Sequence, residues 1–267
     1  MSPAISMLTG FDLVRASFQL SSGLSVHTVS VADVVRLSHI RMQAGIATHI
    51  VTVNPEIDQN LMRDPVYAAA VKNSDVRTCD GVGVQVAARM RGSVVPPRAT
   101  GVALASALIE ASLVRGWKVM IIGAQESVRR HFEERLVRSG VVVVPGSSAV
   151  IDNPAQAAET LARAIPERCV VLVALGVPKQ ELLIRELRQR VPHAAIYVGV
   201  GGAIDYLAGE AVYPPAFLRR LGLEWLFRLI MEPRKRLKRQ FTSLPMFALR
   251  ELMLAIATRL KLAEPVV

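Results

Sequence analysis

Three segments of this chain are apolar at almost every position rather than at every second one: Val141–Val144, Val170–Leu175 and Ala195–Val200. A strand with one wet face alternates; a strand without alternation is covered on both sides. Helical patterns separate these segments, over 154–164 and 179–191, which is the arrangement of a mainly parallel sheet with helices on both faces. Earlier segments extend the alternation. Strands are expected at 25–28, 48–53, 76–79 and 118–122, and helices after Ser30, after Asn54-Pro55, and over 100–115 and 127–139. Ser30 with Asp33 three residues on forms a capping box. Pro55 suits the first position of a helix.

With 267 residues, 51% of them hydrophobic, the chain can bury a large core. Two cysteines, Cys79 and Cys169, do not make a disulfide framework and fit a reducing compartment. The stretch from Met1 to Gly23 lacks the basic and apolar regions of a signal peptide. Charge is uneven. Residues 1–213 carry 21 Lys and Arg against 18 Asp and Glu, and residues 214–267 carry 11 against 4, so the last fifth holds +7 of the net +10. The expected organisation is an α/β domain over 1–213 and a basic helical appendage over 214–267, which would favour an anionic partner. In the appendage, Pro215, Pro233 and Pro245 each open an expected helical stretch. The segment 244–262 contains Arg250, Glu251, Arg259 and Lys261, which disfavours a membrane span and leaves a helix lying on a membrane surface open.

Ligands of parallel α/β sheets bind at the carboxyl ends of the strands. Six polar clusters fall there: Thr52 to Glu56, with Thr52 and Asn54; Asp80 to Gly83, with Gly81; Arg98 to Gly101, with Thr100; Gly123 to Gln125; Pro178 to Glu181, with Gln180; and Gly199 to Asp205, with Gly201 and Gly202. Taken singly, each has a plainer reading. A glycine turn is a tight turn, Asp80 an N-cap, Arg98 half of a surface ion pair, Gln180 a solvated first-turn residue. Six together at the ends of one sheet point to a site. Glycine turns and helix N-termini suit phosphate.

Several chemistries lack their signatures. There is no P-loop, no Asp-x-Asp pair of the kind that clamps a divalent metal on a nucleotide diphosphate, and no zinc-ligand spacing among five histidines and two cysteines. Neither a metal nor any other cofactor is expected. A nucleic-acid-binding module built on 214–261 is the reading that charge alone allows, but no such motif is visible and the body is near neutral. A non-catalytic nucleotide-binding α/β protein is the other alternative.

The ordered motifs T-x-N-P-E (52–56), D-G-x-G (80–83), R-x-T-G (98–101), G-x-P-K-Q-E (176–181), G-V-G-G-x-x-D (199–205) and G-L-E-W-L-x-R with E-P (222–233) resemble the WecG/TagA/CpsF glycosyltransferases, over roughly residues 24–241. The resemblance implies a Rossmann-like fold and transfer of a sugar from a UDP-sugar to a sugar on a polyprenyl diphosphate, with inversion. The family's donors carry N-acetylmannosamine, its uronic acid or glucose. It implies a peripheral place on the cytoplasmic face of the inner membrane, in exopolysaccharide or cell-envelope synthesis, and leaves a homo-oligomer open. By motif, Asp80 is the expected general base, with Thr52, Asn54, Arg98 and Gln180 around it. Gly81, Thr100, Gly123, Gln125, Gly201, Gly202 and Asp205 are expected on the donor. Trp225, Arg228, Arg234, Lys235, Arg236 and Lys238 are expected on diphosphate and membrane. Two departures stand out: Val102-Ala103 replaces a common Ser-Asp after the T-G pair, and Val53 replaces a common Pro.

Overall fold

A computed structural model describes residues 16–191 and 193–262, apart from the side chains of residues 220, 234–242 and 261–262. The expectation about a leader in the first residues lies outside them. A small antiparallel pair, β1 (Ser17–Gln19) and β2 (Ser25–His27), precedes α1 (Val31–Gln43). Both bonds of the Ser30–Asp33 capping box form. The main sheet follows: β3 (Thr48–Val53), β4 (Val76–Cys79), β5 (Lys118–Gly123), β6 (Val142–Ser147), β7 (Cys169–Ala174) and β8 (Ala195–Gly199). All its pairings are parallel, in the spatial order β4-β3-β8-β7-β5-β6.

The connecting helices are α2 (Pro55–Leu61), α3 (Pro65–Lys72), α4 (Val82–Met90), α5 (Gly101–Arg115), α6 (Glu126–Arg138), α7 (Pro154–Ala162) and α8 (Lys179–Arg190). After β8 come α9 (Ala203–Ala208), α10 (Ala216–Arg220), α11 (Glu224–Met231) and α12 (Pro233–Leu262). The lack of alternation in β7 and β8 has its cause in two cores; the same expectation fails for 141–144, because β6 is the edge strand, with Val142 53% exposed and no residue of the strand buried. Val170, Leu172, Ile196 and Val198 enter one cluster with Leu104, Leu108 and Phe132. Their neighbours Val171, Val173, Ala195 and Tyr197 enter the other, with Leu183, Ile184 and Leu187 of α8.

The structure adds β1, α3, α4 and α9 to the expected elements; none of the four exceeds nine residues. It also corrects the appendage. The helical stretch from Pro215 breaks at Gly222, whose φ of 72° is left-handed, into α10 and α11. Pro245 opens no third helix and lies inside α12. An interior proline costs about 3 kcal/mol. What carries the helix past it is packing: Ser243, Phe247, Glu251 and Ala255, one turn apart, are all buried against the body. The Arg250 guanidinium bonds the fully buried carboxylate of Asp58 on α2, which also accepts from Ser22. Glu251 accepts from the Ser21 amide at 2.7 Å and pairs with Arg91 at 3.4 Å.

Candidate active site

Two strands set the geometry. β3 and β4 run in parallel register, with Val53 opposite Cys79, so Asn54 and Asp80 leave the sheet side by side. The Asp80 amide bonds the Val53 carbonyl at 2.9 Å. Asn54 turns the chain into α2: its side-chain oxygen accepts from the amides of Glu56 and Ile57 at 3.0 and 3.1 Å. The Asn54 side chain also favours the ionised form of the Asp80 carboxyl. Asp80 itself caps nothing, since the residue at the α4 N-cap is Gly81.

Arg98 arrives beside Asp80 because residues 98–99 add a short parallel bridge to the edge of β4. Arg98 pairs with Cys79, the Ala99 amide bonds the Cys79 carbonyl at 2.8 Å, and the Thr78 hydroxyl donates to the Ala99 carbonyl at 2.9 Å. The Arg98 guanidinium then meets the appendage. It pairs with Glu224 at 3.0 Å and donates to the Arg219 carbonyl at 3.0 Å. Arg228, on α11, lies 4.7 Å over the Tyr206 ring.

Two joined lobes open here. The first, about 160 Å³, is lined by Gly81, Gly83, Arg98 and, from the appendage, Glu224, Trp225, Ser243 and Leu244. The second, about 260 Å³, is lined by Thr52, Thr100, Gly101, Gln180, Asp205 and the turn Gly199 to Gly202. Asn54, Glu56, Asp80 and Arg228 border both. Burial raises the Asp80 pKa, and the nearby Arg228 and Arg98 charges partly oppose that rise. The Nε atoms of Arg98 and Arg228 are buried without hydrogen-bond partners among the described residues.

Most of the expected residues therefore converge. Thr52 donates to the Gly199 carbonyl at 3.4 Å, which ties β3 to β8. Thr100 caps α5 by accepting from the Ala103 amide at 3.3 Å. Gln180 is not a solvated first-turn residue; it is 3% exposed. Gly123 and Gln125 line neither lobe. They lie at the end of β5, one strand from the far edge of the sheet, and a Cβ on Gly123 would lie 2.6 Å from the Ala174 carbonyl oxygen. That glycine is there for strand packing. Gly81 lies in the first lobe rather than beside Gly201 and Gly202, and its hydrogen side chain lets α4 approach Pro55: a Cβ would sit 3.1 Å from Pro55 Cδ. The side chains of Arg234, Lys235, Arg236 and Lys238 lie outside the described residues. Sequence reasoning missed Glu56, Glu224 and Ser243 as lining residues; the first two stand inside quoted motifs, whereas Ser243 carries no local signal.

Among the described residues no three His, Cys, Asp or Glu side chains converge as a metal site. No helix among them is long and apolar enough to cross a membrane.

A parallel sheet whose strand ends bring a carboxylate, an arginine and glycine turns to one cleft, closed by Arg228 of α11, is a Rossmann-like fold with a site suited to a phosphorylated ligand. The chain matches the model of the glycosyl transferase WecG/TagA/CpsF family over residues 19–262 and belongs to that family. It is a glycosyltransferase. A curated relative in Bacillus spizizenii, an N-acetylglucosaminyldiphosphoundecaprenol N-acetyl-beta-D-mannosaminyltransferase, is 32% identical over 200 residues, 74% of this chain and 76% of the relative.

Proposed function

We propose that this chain moves an N-acetylmannosamine-type sugar from a UDP-sugar to a sugar on a polyprenyl diphosphate, with inversion and without a metal. The observation that carries the reading is Asp80 at the junction of two lobes, flanked by Arg98 and Arg228. The glycine-lined lobe suits the donor, whose diphosphate can take backbone N–H groups there. The lobe under α11 then receives the acceptor. Asp80 removes the proton from the acceptor hydroxyl as that oxygen forms its bond to the anomeric carbon. The bond from that carbon to UDP breaks on the opposite face. Negative charge grows on the departing β-phosphate, where Arg228, which borders both lobes, offers a guanidinium group, with Arg98 lining the adjoining lobe.

A lipid-linked acceptor calls for a surface to rest on. Arg250 and Glu251 turn inward, so the outer face of α12 shows Met246, Leu249, Met253, Ile256 and Leu260, each at least 48% exposed. With Phe217, Leu221 and Ile230 also exposed on the appendage and an appendage charge of +7, this face favours peripheral attachment to anionic lipid at the cytoplasmic side of the membrane.

The test is a panel of UDP-sugars with short-chain polyprenyl-diphosphate-linked N-acetylglucosamine, read by mass spectrometry with and without EDTA. A β-linked disaccharide lipid from UDP-N-acetylmannosamine, unaffected by EDTA, is expected. No product from any UDP-sugar, or a requirement for added magnesium, would refute the corresponding part.

A further inference from the structure

Behind the wall of the second lobe lies a fully buried acid that the mechanism above does not use. Glu181 has no exposed surface, although it sits in the first turn of α8. Its Oε1 accepts from Gln180 Nε2 at 2.6 Å. The oxygen of the same Gln180 amide accepts from the Gly201 backbone N–H at 3.1 Å. Gly199 makes room for the pair: a Cβ there would lie 2.5 Å from Gln180 Nε2 and 3.1 Å from Glu181 Oε1.

The chemistry of these partners leaves one arrangement. A backbone N–H only donates, and an ionised carboxylate only accepts. An amide between them satisfies both only with its oxygen toward Gly201 and its nitrogen toward Glu181. We infer that Glu181 is a positioning residue, whose carboxylate locks the Gln180 amide so that it pins Gly201 and shapes the glycine-lined lobe. Neighbours tune the lock. Tyr67, from α3, faces the carboxylate with a buried hydroxyl that favours its ionised form, and Glu56, from α2, is the charged group that opposes ionisation. Gly199, from β8, contributes backbone alone. Burial is the largest influence, and it pushes the Glu181 pKa up to about 7.

The lock can be read without turnover, from the exchange rate of the Gly201 amide hydrogen in the full chain. Glu181→Gln preserves shape but puts an amide, able to donate or accept, where an obligate acceptor stood. A hydrogen bond to a charged group corresponds to about a 10- to 100-fold change in an equilibrium. Gly201 exchange is therefore expected to accelerate by about tenfold or more, with amides inside β7 and β8 unchanged. In the wild type, after correction for intrinsic rates, Gly201 protection should fall as pH drops through about 7. That inflection should vanish in Glu181→Gln. Tyr67→Phe leaves Gln180 in place and should move the inflection to higher pH; it carries the test if Glu181→Gln does not fold. Unchanged Gly201 exchange in Glu181→Gln, or an unmoved inflection in Tyr67→Phe, would overturn the inference.

The catalytic consequence rests on the function proposed above. The donor KM should rise about tenfold or more in Glu181→Gln, with the acceptor KM unchanged. Loosened Gly201 with an unchanged donor KM would overturn the link to the donor lobe. A wild type that turns over no UDP-sugar refutes the proposed reaction and leaves the exchange result standing.

Discussion

Asp80→Asn separates chemistry from binding. The backbone at position 80 is held by the bond from its amide to the Val53 carbonyl, 2.9 Å, and asparagine keeps the shape of the side chain. What goes is the proton acceptor. General-base assistance is worth about 100- to 10,000-fold, so kcat should fall within that range. Binding should move the other way or not at all. Arg98 and Arg228 both act on the Asp80 charge, so removing that nearby negative group should leave their attraction for a diphosphate equal or stronger. The Kd for UDP, measured by calorimetry, should stay equal or tighten. A pH profile adds a second check. Burial, only partly opposed by the two arginines, raises the Asp80 pKa. The base must be ionised, so wild-type turnover should decline as pH falls through a value above the ordinary carboxylate range. The residual turnover of Asp80→Asn should lack that limb. Turnover of the variant within about twofold of wild type, with the acid limb intact, would remove Asp80 from the role.

Phe247→Ala empties a site that is 3% exposed and packed on Gly83; about 3–5 kcal/mol should be lost from the docking of α12, seen as faster amide exchange over residues 243–258. Arg250→Ala leaves the buried Asp58 carboxylate without its cation and should cost a similar amount, about 3–5 kcal/mol, in chemical denaturation. Ending the chain after Tyr213 removes Glu224, Trp225 and Arg228 from the lobes, so activity should stay low even with a water-soluble acceptor; full recovery would mean the appendage only anchors. Sedimentation of the intact chain with anionic vesicles should weaken but not vanish as salt rises, because screening acts within about 8 Å while apolar contact is unaffected.

Most of the architecture was written locally. The unalternating strands β7 and β8, the Ser30 and Asn54 caps and the helix over 101–115 follow from residue types a few positions apart. The equally apolar 141–144 instead went into an edge strand with no buried residue, which only its place in the sheet decided. The polar strand ends were legible too: a parallel sheet delivers every strand end to one edge. What no local pattern contains is which ends become neighbours. The order β4-β3-β8-β7-β5-β6 joins Asp80, Asn54, Gly199 and Gln180 and leaves Gly123 and Gln125 aside, although their glycine turn reads like the others. Tertiary packing also overrode Pro245, because one face of α12 buries Phe247 and Glu251 against the body. The same docking turns Arg250 inward, and an apparently interrupted apolar segment becomes a helix with a continuous apolar outer face. Whether a charge along the chain faces water, a partner or a buried carboxylate is a property of the surface it meets, and that surface exists only once the chain has folded.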